Sequence, residues 1–106
     1  MEIDLKDFKG LDLRVGEVIG AEDVKGSDKL IKLTVDIGET RQAVAGVREW
    51  YAPEELVGKK VVFLANLEPA VIFGVESRGM ILAAQDANGV SILTVDSSVE
   101  NGTKIK

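Results

Sequence analysis

The sequence predicts an all-β fold, a small closed barrel of short strands, and three observations carry that reading. Stretches of period-two apolar alternation recur along the chain, separated by clusters of Gly, Asn, Asp and Ser. A glycine interrupts the long first stretch, as expected of a strand that bends to serve two sheets. Only one segment, near the middle, carries both a helix start and a helix stop. At 106 residues the chain has room for a single core.

Residues 1–10 alternate apolar and charged and end at Gly10, so Ile3, Leu5 and Phe8 fit either a short helical turn or a strand against the barrel end. Over 11–24, Leu11, Leu13 and Val15 alternate with Asp12 and Arg14, Gly16 breaks the pattern, and Val18 and Ile19 resume it. A first strand bending at Gly16 is expected. Residues 25–29 form a turn cluster with a lysine at each end. The clearest alternation follows, with Ile31, Leu33, Val35 and Ile37 on one face and Lys32, Thr34 and Asp36 on the other. Gly38-Glu39 turns this strand back into 40–45, where Arg41 shares parity with the small residues Ala43 and Ala45, expected to permit close packing.

Residues 46–58 hold the helical signal. Pro53 suits a first turn, Glu54 and Glu55 favour its positive end, and Gly58 stops it. Trp50 and Tyr51 precede the helix and are expected to plug the barrel end rather than to stack bases. Residues 59–64 make a further strand. The stretch 65–84, ANLEPAVIFGVESRGMILAA, is the one around which function is sought. Pro69 donates nothing to a ladder, so 68–79 reads as a loop between strands with Gly74 and Gly79 as pivots, and long loops in compact domains are usually functional. The apolar run 81–84 reads as a strand buried on both faces, with Met80 opening it as a core residue. Residues 86–89 read as a hairpin turn whose Asn88-Gly89 pair favours two positive φ angles. A strand over 90–95 and a short tail complete the chain. Five strands with one short helix between the third and fourth is the order of a Greek-key oligonucleotide/oligosaccharide-binding (OB) barrel, here followed by an extra C-terminal hairpin. The reading is one domain over 1–106, with the barrel at about 11–85 and the hairpin and tail at 86–106.

Composition removes several kinds of chemistry. The chain has no Cys and no His, hence no disulfide, no thiolate nucleophile, no imidazole base and no Cys/His metal site. The carboxylate pairs Glu54-Glu55 and Glu22-Asp23 fall at a helix start and in a turn. Ser77 lies in GVESRG, which lacks both the nucleophile-elbow pattern and the Gly-Lys-Ser/Thr ending of a phosphate loop. No enzyme activity and no cofactor are expected. No apolar run of transmembrane length and no signal-peptide pattern are present, so a cytoplasmic protein without membrane contact is expected. The net charge of −5 argues against a generic nucleic-acid binder, although over 59–80 three basic residues face two acidic ones, a local sum of +1. Binding is still the better-supported function, because Lys29, Lys32, Arg41, Lys59, Lys60 and Arg78 can converge on one face of such a barrel. Asn66 and Ser77 can bond phosphate, ribose or bases, or satisfy loop backbone.

Four stretches together carry a resemblance: DFKGLDLRVGEV, GSDKLIKLTVDIG, YAPEELVGKKVV and ANLEP…FGVESRGMILAA. In this order they resemble the tRNA-binding domain family, found at the carboxyl end of many methionyl-tRNA synthetases and as free-standing tRNA-binding proteins. The third and fourth look most similar to the synthetase branch, either as its separately encoded beta subunit or as an excised carboxyl-terminal domain. The resemblance implies a non-catalytic barrel that grips folded tRNA with little sequence preference. It also implies a homodimer built through the segment after the fifth strand, and a methionyl-tRNA synthetase catalytic chain as a possible partner. Asn66, Ser77 and Met80 would be the motif residues at the RNA surface, with Lys29, Arg41 and Arg78 as basic helpers; Lys32 is added to the expected tRNA-binding set from the barrel face alone. Two departures stand out. Ala70 and Val71 follow Pro69 where relatives often carry basic residues, and Lys25-Gly26-Ser27 replaces a His-Pro turn. A second branch of the family resembles dimeric, export-linked chaperones of unfolded peptides. The element Ser77-Arg78-Gly79-Met80, usually missing there, favours tRNA; the acidic net charge favours the chaperone.

Overall fold

The computed structural model describes all 106 residues. In chain order they form α1 (Leu5–Lys9), β1 (Leu13–Asp23), β2 (Ile31–Asp36), β3 (Thr40–Ala45), α2 (Pro53–Leu56), β4 (Lys60–Leu64), β5 (Ala70–Ile72), β6 (Val75–Ser77), β7 (Met80–Ile81), β8 (Ala83–Asp86) and β9 (Gly89–Ile92). Five strands make one antiparallel sheet in the order β3-β2-β1-β4-β7, and β5–β6 and β8–β9 are separate hairpins. Packing of β6 and β7 against β3 brings the sheet's edges together into a nearly closed barrel. This is the expected OB architecture.

The alternation of β2 sets the core. Ile31, Leu33, Val35 and Ile37 are wholly buried, and Val18, Ala43, Ala45, Val61, Phe63 and Ile81 pack around them. At about 1.5–3 kcal/mol for each large apolar side chain removed from water, these residues dominate the stabilisation. Ala43 and Ala45 fill core positions, as their size suggested. In α2, Pro53 occupies the first turn and the Glu55 carboxylate accepts the Ala52 N–H at 2.8 Å. Leu56 is driven into the barrel, and Gly58 (φ 93°) ends the helix while donating to the Val18 carbonyl at 2.7 Å. Tyr51 packs on the core and its hydroxyl accepts the Ile92 N–H at 3.1 Å. Trp50 instead lies half-exposed against Gly89 of β9.

Several expectations are corrected. The irregularity in β1 is at Ile19, not Gly16: Val18 pairs with Val35 and Gly20 with Thr34, leaving Ile19 as the extra residue of a bulge. Gly16 stays in register opposite Val61 and is needed for closeness, since a Cβ there would fall 2.6 Å from Val35 Cγ1. Residues 68–79 are no open loop, because β5 and β6 pair as a hairpin. The run 81–84 is not a doubly buried strand. Ile81 alone of the four is buried, Ala83 and Ala84 are exposed in β8, and Met80 is 41% exposed rather than in the core. In the β8–β9 turn only Gly89 has positive φ, and the Asp86 carboxylate accepts the Asn88 N–H at 2.7 Å, an Asx turn. The strand expected over 90–95 ends at Ile92. The N-terminal segment takes the helical alternative with Ile3 and Leu5 exposed.

The tail is part of the barrel wall. Gly102 and Ile105 donate to the carbonyls of Val15 and Leu13 at 2.7 and 2.8 Å, and Val15 donates to Thr103 at 2.8 Å. Lys60 holds this tail through the Val99 carbonyl and the Asn101 side chain, while the Asn101 amide reaches Glu17 and Asp36 at 3.2 Å each.

Gly79 is the tightest point of the closure. Its φ is 127°, and a Cβ would lie 2.4 Å from Phe63 Cε2 and 2.7 Å from the Leu64 carbonyl oxygen. Gly79→Ala is expected to cost about 2–4 kcal/mol, read as a lowered urea midpoint with little change in slope.

Candidate nucleic-acid interface

The segment from Ala65 to Met80 lies across the open edge of β3 and is tied there by side chains. Arg41, on β3, sends one guanidinium nitrogen to two main-chain carbonyls, Ala65 at 2.9 Å and Arg78 at 3.1 Å, and its Nε to Glu39 at 2.7 Å. The Ser77 hydroxyl accepts the Val44 N–H and donates to the Gly79 carbonyl, both at 3.0 Å, and the residue is buried. Gln42 donates its side-chain amide to the Glu76 carbonyl at 2.8 Å, and its main-chain carbonyl accepts the Arg78 N–H at 2.8 Å. Asn66 accepts the Asp12 N–H at 2.8 Å and donates to the Gly10 carbonyl at 2.7 Å, fastening the segment to the start of β1.

The sequence-derived residues therefore divide by place. Arg41, Asn66 and Ser77 hold the segment. Arg78 presents its guanidinium outward, 3.7 Å from Glu76 with about half its side chain exposed. Met80 borders a shallow apolar depression with Val44, Val47, Ala83 and Val90. Lys32 is cross-strand from Val44, the residue whose N–H Ser77 caps, and pairs with Glu22 at 2.7 Å. Lys29 is exposed in the β1–β2 loop, where its N–H rests on the Ser27 hydroxyl and its carbonyl accepts the Arg48 N–H. Lys60 does not join this face, being committed to the tail, and Lys59 lines a polar cleft with Tyr51 and Thr94. Sequence reasoning missed Gln42 and Glu39, which organise Arg41 and the hairpin, and also missed the exposed hairpin residues Val71 and Phe73.

Charge is heavily compensated within the chain. Of 13 basic residues, the seven Arg14, Lys32, Arg41, Arg48, Lys60, Arg78 and Lys104 are in ion pairs. Lys25 and Lys29, both in the β1–β2 loop, are among those left unpaired. The Arg41 guanidinium, by hydrogen bond and by charge, holds the Glu39 carboxyl below its usual range. The Arg14 hydrogen bond does the same for Asp12; partial burial opposes it and Lys104 adds to it.

A five-stranded barrel whose third strand, β1–β2 loop and clamped β5–β6 segment make one face has the layout of an oligonucleotide-binding module. Residues 13–104 match the family model described as a putative tRNA binding domain, and the chain belongs to that family. It is 62% identical over 100 residues to a methionine–tRNA ligase of Methanothrix thermoacetophila, covering 93% of this chain and 15% of that enzyme. It is 53% identical over 107 residues to that of Methanocaldococcus jannaschii, covering 99% of this chain and 16% of the enzyme. The chain thus spans about a sixth of the length of these ligases. Among solved structures, a MetRS-related protein from Pyrococcus horikoshii superposes with a TM-score of 0.93 at 41% identity, each chain covered in full. The chaperone CsaA of Bacillus anthracis superposes with a TM-score of 0.91 at 32% identity, again over both whole chains.

Two outcomes test this geometry. Ser77→Ala leaves the buried Val44 N–H without its partner and is expected to cost about 1–3 kcal/mol of stability by urea denaturation. Asp12, with its folded-state pKa depressed, contributes stability above the unfolded-state value and loses it as pH falls through the folded-state value. Acidification should therefore lower amide protection at Val15 and Ile105, in the tail ladder that Lys104 helps fasten to Asp12, before it lowers protection in β2.

Proposed function

We propose that this domain binds folded tRNA without catalysis, as an accessory to a methionyl-tRNA synthetase whose tRNA affinity it raises. The observation that carries the reading is the clamped 65–80 segment, in which Arg41 holds the Arg78 main chain and the Arg78 guanidinium is left about half exposed. The family match and the identity to methionine–tRNA ligases support it. In this reading Lys29, Lys32 and Arg78 meet phosphates and Met80 offers an apolar contact at the rim. Arg41, Asn66 and Ser77 act by holding the segment in place. Affinity is modest and salt-sensitive because it comes from counterion release, and shape selects a folded RNA. Tethering to a synthetase or pairing as a homodimer raises the effective concentration, potentially by ~10²-fold. We place the dimer contact on β8–β9, where all four β8 residues are exposed beside the apolar depression at Val44 and Val90. The setting is cytoplasmic; no helix is long and apolar enough to cross a membrane.

The likeness to CsaA favours a second reading, a dimeric chaperone that binds unfolded peptides through the same fold. Fluorescence anisotropy with folded bulk tRNA, an unstructured RNA and an unfolded polypeptide separates the two. Saturable binding that prefers folded tRNA and weakens with salt is expected. Lys29→Gln should weaken it and reduce the slope of log affinity against log salt by about 1. Binding of the polypeptide with none of the tRNA at low salt would replace the tRNA reading with the chaperone.

A further inference from the structure

The tip of the β5–β6 hairpin carries a strained, solvent-facing aromatic. Ile72 pairs with Val75, so Phe73-Gly74 is a two-residue turn, with φ of 50° and 76°. Such a turn suits Asn, Asp or Gly at its first position, and an aromatic side chain is disfavoured there. Phe73 is nevertheless the only non-glycine residue of the chain with positive φ. The strain is not offset by burial: the residue is 62% exposed, and Val71 beside it is 73% exposed. Strain kept at an exposed position points to function rather than to packing.

The surroundings indicate what the ring meets. The ring's neighbour is the β1–β2 loop, where a Cβ added at Gly26 would stand 3.9 Å from Phe73 Cδ1. That loop carries Lys25 and Lys29, neither of them in an ion pair, with the exposed Asp28 between them. The hairpin itself has no basic residue between Pro69 and Ser77, and its one charge is Glu76, so it has nothing with which to hold a phosphate. An aromatic face with free cations on the adjoining loop is the combination that takes a nucleobase by stacking while its phosphates meet lysine.

We propose that Phe73 is the stacking platform for an unpaired base of the bound RNA, with Lys25 and Lys29 holding the flanking phosphates. This rests on the tRNA reading above and adds to it a preference for RNA that displays an unstacked base. Glycine at position 73 removes the ring and also relieves the backbone. Phe73→Gly is therefore expected to leave the melting temperature unchanged or raised while weakening tRNA binding roughly ten-fold. The salt slope should stay the same, because stacking releases no counterions. Phe73→Trp keeps a ring and should keep the affinity; in a Trp50→Phe background its fluorescence should be quenched on adding tRNA.

Anisotropy titration of both variants with bulk tRNA, with melting curves and sedimentation alongside, makes the test. Tight binding by Phe73→Gly when the wild type binds tRNA would overturn the stacking role and leave the tRNA reading standing. So would a lowered melting temperature or loss of self-association that accounts for the change. A wild type that binds no tRNA would overturn both.

Discussion

The barrel closes at β3 with too little strand to do it, and the rest of the binding face follows from that shortage. β7, which should complete the wall, is two residues long. The outer edge of β3 would then present main-chain donors and acceptors inside a closed fold, where each unpaired group costs on the order of 1–3 kcal/mol. Side chains take the missing places. Ser77 caps the Val44 N–H, the Gln42 amide donates to the Glu76 carbonyl, and Arg41 reaches across to the carbonyls of Ala65 and Arg78, beside one main-chain bond from the Arg78 N–H to the Gln42 carbonyl. No buried side-chain polar atom is left without a partner. A segment fixed at both ends by such bonds holds Arg78 and the β5–β6 hairpin in a defined position, and preorganisation of this kind lowers the ordering cost of binding.

The same closure bears on how an acidic chain can address a polyanion. A net charge of −5 is a property of the whole surface, whereas a bound phosphate senses charges within roughly a Debye length, about 8 Å at physiological salt. Six of the 18 carboxylates pair with neighbouring basic residues, among them Asp12 with Arg14 and Lys104, Asp23 with Arg48 and Glu39 with Arg41. Such exposed pairs contribute little to stability, but they quiet the local field. The β1–β2 loop keeps Lys25 and Lys29 out of ion pairs, with Asp28 between them, so two lysines stay available within an acidic total.

What was legible in the sequence was what main-chain periodicity controls. The alternation of 31–37 gave β2 and the core, Pro53 with Gly58 bracketed α2, and the order of strands and helix gave the barrel. The family resemblance, resting on four motifs in order, anticipated the match over 13–104. Legibility failed where side chains substitute for strand hydrogen bonds. Nothing in the pattern of 65–84 says that Ser77 completes β3, so a hairpin read as a loop and the exposed Ala83-Ala84 read as core. Gly16 and Ile19 failed for a related reason: glycine marked a close approach to Val35, while the bulge took a residue with no special backbone preference. Phe73 was passed over because an aromatic at the first position of a tight turn contradicts the rules by which turns are read.

That contradiction also bears on how the motif residues should be weighed. A residue that clamps and a residue that touches RNA both weaken binding when removed, so loss of affinity alone does not separate them. They enter different free energies. Removing Ser77 or Arg41 raises the energy of the folded domain and moves the 65–80 segment, so stability and affinity fall together while the number of phosphate contacts is lost only indirectly. On the proposed reading, removing Lys29 would alter the counterion balance and leave the fold unchanged. On the proposed stacking role, removing the strained exposed ring would take a third course, in which the fold gains what the complex loses. In a barrel this small, with a motif used to close its own wall, the sign of the stability change carries as much information about function as the affinity does.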